Sequence, residues 1–61
     1  MTFLEAREAA HRAISERPGD VELIAHNYVA VLGVIGVSVD TMYGCIRELL
    51  MRRELAEELS S

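Results

Sequence analysis

Apolar residues recur at Phe3, Ala6, Ala10, Ala13 and Ile14, the rhythm of one face of a helix. Thr2, three residues ahead of Glu5, has the form of a capping box. The pattern predicts a first helix from about Phe3 to Arg17. Its seam is mostly alanine, so a neighbouring helix can approach closely, and Glu8 and Arg12 form an i,i+4 pair on the outside. Pro18 and Gly19 stop it, and Asp20 is placed to cap a second helix.

The second segment runs from Val21 to Ile35. After Glu22, His26 and Asn27 it becomes an unbroken apolar run from Tyr28 to Val37. Such a run is either a helix buried nearly all round or a strand, because valine and isoleucine favour strands and Gly33 weakens a helix. The capped start and the length favour a helix, and a single strand has no pairing partner in so short a chain. The run is too short, and ends too abruptly, to span a membrane.

Gly36 closes this segment, and Ser38 is the expected cap of a third helix from about Val39 to Leu59. At about 100° per residue, Met42, Cys45, Ile46 and Leu49 share one face, whereas Met51, Leu55 and Leu59 fall on roughly the opposite side. The apolar face therefore switches near Arg52. A frayed end has no reason to keep leucines four residues apart, so Met51, Leu55 and Leu59 are expected to meet a partner, most simply a second copy of the chain.

Composition sharpens this picture. A chain of 61 residues forms one domain, here 1–61, and buries only about 60% of the surface that its unfolded form exposes. Disulfides cannot add stability, because Cys45 is the only cysteine, and His11, His26 and Cys45 are too few and too scattered for a zinc site. Self-association is the expected supplement. A lone thiol suits a reducing cytosol, and the apolar start breaks into charge too soon for a signal peptide, so a cytoplasmic protein is expected. The fold class is all-α: a compact three-helix domain with its core in Tyr28 to Leu50, completed by dimerisation.

Within Ala30 to Leu49, the succession Gly36-Val37-Ser38, then Thr41-Met42-Tyr43, then Cys45-Ile46 resembles the helix-turn-helix of bacterial and phage transcription regulators. The physical logic of that motif is a glycine leaving the first helix in a left-handed conformation, an apolar plug between the helices, and a serine capping the second. The resemblance implies that Met42 and Ile46 pin a recognition helix to the core. It also implies that Val39, Asp40, Tyr43 and Gly44 face the major groove, with Arg47 one turn further and Arg52 or Arg53 reaching the phosphate backbone. The chain departs from the pattern at Leu32, where alanine is usual, and at Gly33 and Val34, where polar residues are expected.

The stretch from Glu5 to Leu23 resembles, more distantly, the second helix of a tetratricopeptide repeat and the start of the next. Ala6, Ala13 and Pro18 fall where that pattern has small, small and proline, while Tyr28 stands where a small residue belongs. At least about three repeats are normally needed for stability, so this resemblance implies a helical hairpin that completes itself with another protein.

Charge and chemistry then divide the functional classes. All six basic residues are arginine, Arg7, Arg12, Arg17, Arg47, Arg52 and Arg53, against a net charge of −4, a balance that does not help phosphate neutralisation. Ser38 has no histidine in its joint and reads as a cap rather than a nucleophile. Cys45 lies on the inner face of the third helix, where cysteine behaves as a small apolar residue. His26 and Asn27, the polar pair of the apolar segment, are expected to hydrogen-bond in the core or across a dimer seam. Glu54, Glu57 and Glu58 crowd a helix C-terminus, where the macrodipole disfavours them.

No cofactor, metal, small-molecule substrate or membrane contact is expected, and no enzymatic activity. The leading reading is a small helix-turn-helix regulator that binds DNA, and the alternative is a protein-interaction module such as an inhibitor, adaptor or chaperone subunit. A continuous basic face around Arg47, Arg52 and Arg53, extended by Arg7 or Arg12, favours DNA. An exposed apolar groove favours protein.

Overall fold

The computed structural model describes residues 1–60, and among them it has three α-helices and no strand. Helix α1 spans Phe3–Glu16, a 3-10 turn covers Pro18–Asp20, α2 spans Val21–Ile35 and α3 spans Val39–Ser60. The capping box forms as spaced. The Glu5 amide donates to Thr2 Oγ1 at 3.2 Å, and the Thr2 amide donates to Glu5 Oε1 at 2.9 Å.

Helix α1 stops one residue short of the expected end. Arg17 leaves the helical region at φ −136° while its amide still reaches the Ala13 carbonyl at 2.8 Å. The cause is Pro18, whose ring pushes the preceding residue out of the α conformation. Asp20 makes no side-chain cap on α2. Its carboxylate lies instead 3.7 Å from the Arg17 guanidinium, across the turn.

The joint between α2 and α3 follows the glycine logic. Gly36 adopts φ 94°, and the amides of Gly36 and Val37 close back on Leu32 and Gly33 at 3.0 to 3.2 Å. These bonds satisfy carbonyls that the end of a helix leaves unpaired. Val37 packs against the core. Ser38 Oγ accepts from the Thr41 amide at 3.3 Å, and the Ser38 carbonyl accepts from Met42 at 3.0 Å, which starts α3.

The core differs in place from the expected Tyr28 to Leu50. Helix α1 supplies Ala6, Ala10 and Ile14, α2 supplies Ile24, Tyr28 and Leu32, and α3 supplies Cys45 and Leu49. Ile14, Leu32 and Leu49, one from each helix, are wholly enclosed. Met42 and Ile46 pack at its margin. Helix α2 is not buried nearly all round, since Val29, Ala30 and Gly33 are exposed and Val34 is 90% exposed. In a three-helix chain α2 has only two neighbours, and they cover one side of it.

Helix α3 continues unbroken through the change of apolar face. At 22 residues it is about 33 Å long, which accounts for the 37 × 20 × 17 Å outline. Met51, Leu55 and Leu59 project from it at 65%, 51% and 81% exposure, touching little of their own chain. None of the helices among the described residues is long and apolar enough to cross a membrane.

The joint gives the first test. No atom lies within 4 Å of where a Cβ at Gly36 would be, so a side chain there meets only backbone strain. Gly36→Ala should cost about 1–2 kcal/mol of unfolding free energy, with Gly36→Asn losing less because asparagine tolerates the left-handed region. Urea denaturation of the three proteins checks this, and equal midpoints would refute the strained joint.

Candidate functional site

Two surfaces stand out, one made by apolar residues and one by charge. Along α1, Ala6, Ala9, Ala10 and Ala13 follow one another at helical spacing and form one wall of a groove. Asn27, Tyr28 and Val31 of α2 form the other wall, and Met1 and Arg17 also line it. The groove holds about 170 Å³ of open space. Its small alanine side chains are what leave the room.

The groove continues onto the outside of α2. Leu23, Asn27, Ala30 and Val34 share a face by their i, i+4, i+7, i+11 spacing, and all four are exposed. His26 and Asn27 are exposed, so of the two places expected for them the core is excluded. The cause is the rotation of α2, which turns Tyr28 and Leu32 inward and this polar pair outward.

On the opposite side, α1 and α3 are tied by charge. Arg7 grips Glu48 through Nε and Nη2, each 2.9 Å from a carboxylate oxygen, in the bidentate geometry that suits guanidinium. His11 is 8% exposed. Its Nε2 lies 3.1 Å from Glu48 Oε1, but off the line of a good hydrogen bond. The Arg7 contact holds the Glu48 carboxyl below its ordinary range, with His11 adding to it. Burial pushes His11 down, and the positive charges of Arg52 and Arg7 push it the same way, with Glu48 opposing.

Behind this cluster the Tyr28 phenol is enclosed and pushed well up by burial and by its neighbour Cys45. Cys45 is a free, buried thiol. The cluster was hard to foresee, since Arg7 and Glu48 are 41 residues apart. The one signal was placement: Arg7 and His11 lie one turn apart beside Ala10, and Glu48 sits between Cys45 and Leu49.

The residues expected to face DNA occupy the outside of α3. Val39 and Tyr43 are 63% and 69% exposed, and Asp40, Gly44, Arg47 and Arg52 are also exposed. Arg53 is half-buried, with its Nε 3.7 Å from Glu57. The basic face is interrupted, because Arg7 is taken up by Glu48 and Arg53 lies near Glu57. Among the described residues Arg12, Arg47 and Arg52 have no acidic group within 4 Å, and no three His, Cys, Asp or Glu side chains are grouped to hold a metal ion.

Acid should loosen the cluster. Both His11 and Glu48 hold protons less tightly when folded, so the unfolded chain gains protons first as pH falls. Stability should therefore be full above about pH 6.5, the ordinary histidine value. It should decline as His11 and then Glu48 become protonated in the unfolded state. Thermal midpoints between pH 8 and pH 4 check this, and His11→Gln should flatten the upper part of the curve. A midpoint that rises on acidification would contradict it.

Compared with known protein families, with curated proteins and with solved structures, the chain matches none, so its functional reading rests on the geometry above.

Proposed function

We propose that the chain is a small, non-enzymatic protein-interaction module that works as a homodimer in the cytoplasm and takes an apolar helical segment of a partner protein into the α1/α2 groove. The observation that carries this is the groove itself, continuous with an outer face of α2 that is apolar yet exposed. Exposed apolar surface rimmed by polar residues is a common form of protein-docking site.

Size selects the class of ligand. Pockets for small molecules are typically about 300–1,000 Å³, well above the 170 Å³ here. An apolar cavity of about 150 Å³ accommodates a benzene ring, so this groove has room for one large apolar side chain. A partner helix offers such a side chain as an anchor. The free thiol of Cys45 suits a reducing compartment.

A second reading has its own support. The left-handed Gly36, the plug at Val37 and the cap at Ser38 are the parts that a helix-turn-helix regulator needs at its joint. Val39, Asp40, Tyr43, Arg47, Arg52 and Arg53 would then form the DNA face. Against it stand the net charge of −4, the carboxylate of Asp40 in that face and the engagement of Arg7.

Two experiments separate the readings. A pull-down from the native cell should return a protein with the wild type, and lose it with Ala9→Glu, which places a charge in the groove at an exposed position and leaves the fold intact. Retardation of genomic fragments at low salt should be absent. Retardation by the wild type that is lost in an Arg47→Ala, Arg53→Ala double variant would replace the protein reading with the DNA one.

A further inference from the structure

The outward face of α3 has a shape as well as an apolar character. With about 100° of turn per residue, Gly44, Met51 and Leu55 fall within about 40° of one another, and Leu59 comes one step further round. Gly44 lies inside a continuous helix, where glycine weakens the structure, and nothing within 4 Å of it calls for the missing side chain. The chain's own packing therefore gives no reason for a glycine there. A second helix crossing closely over that position would.

Charge says which helix and which direction. Arg47, Glu54 and Glu58 lie along one flank of the stripe, within about 40° of one another. All three are exposed. We infer that two copies of the chain pair through α3 in antiparallel fashion, Leu59 of each seated on Gly44 of the other, with Met51 and Leu55 between. This rests on the homodimer reading above and names its contact surface.

In that register the middle of the contact falls between Met51 and Arg52, and Arg47 comes opposite Ala56 of the second copy. It is then flanked by Glu54 and Glu58 of that copy, one turn apart, and the two-fold axis repeats the arrangement. A parallel two-fold pair would instead set this flank of one helix against the opposite flank of the other, so that Arg47 would meet neither Glu54 nor Glu58. Antiparallel pairing also relieves the acidic end of α3, which has no basic residue in its last turn. Four turns of one helix offer less than the roughly 800 Å² per partner of a standard interface, so a weak, concentration-dependent dimer is expected.

Light scattering on the full chain, over a concentration series and with helicity checked for each variant, tests the inference. The wild type is expected to dimerise, with Leu55→Glu weakening the dimer about tenfold or more. Gly44→Leu should also weaken dimerisation while raising the thermal stability of the monomer, an outcome that a purely structural glycine would not produce. Arg47→Glu should weaken the dimer, and adding Glu54→Arg should restore it. If the wild type dimerises and these variants leave it unchanged, the α3 contact is wrong and the homodimer reading stands. If the charge swap fails to restore association, the antiparallel register is wrong. A wild type that stays monomeric at hundreds of micromolar overturns both.

Discussion

The alanine seam of α1 is the constraint on which the rest of this structure depends. Because Ala6 and Ala10 are small, α1 lies close against the other two helices, and one enclosed residue from each helix, Ile14, Leu32 and Leu49, can meet at the centre. The same approach brings Arg7 and His11 to Glu48. It also leaves Ala9 and Ala13 as a low wall facing solvent, so the packing that closes the core opens the groove beside it. With larger residues on this seam α1 would stand further off, and both the charge cluster and the groove would be lost.

What could be read from the chain was local. Thr2 with Glu5, Pro18 with Gly19, and Gly36 with Ser38 each fix a helix boundary through bonds spanning a few residues, and those boundaries fall within a residue or so of where the pattern puts them. The rotated stripe of Met51, Leu55 and Leu59 was equally legible, as it depends only on helical period. What was not legible involved helices meeting across long separations. The inward turn of His11, the grip of Arg7 on Glu48 and the solvent-facing side of α2 all depend on how three helices share a small core. A run as uniformly apolar as Tyr28 to Val37 has no polar side to show which face will be left out.

The arginines carry the tension between the two functional readings. Arg7, Arg17 and Arg53 each lie against a carboxylate of their own chain, so the positive charge that remains is concentrated in Arg12, Arg47 and Arg52. Arg47 cannot serve both a phosphate and the acidic flank of a second α3. The helix that most resembles a recognition helix is therefore also the one best furnished to meet a copy of itself, and the two uses exclude each other on the same face.

Val34 illustrates a wider consequence of the exposed side of α2. At 90% exposure it contributes almost nothing to the core, whereas Leu32, two residues earlier, is wholly enclosed. Along one helix, then, neighbouring positions answer to different demands. A saturation survey of substitutions would split α2 into two classes: those whose replacement abolishes the folded state, and those whose replacement leaves it well folded. In a chain this small, the residues that hold the fold together and those left to solvent occupy alternate faces of the same turns, so one set can be altered without rewriting the other.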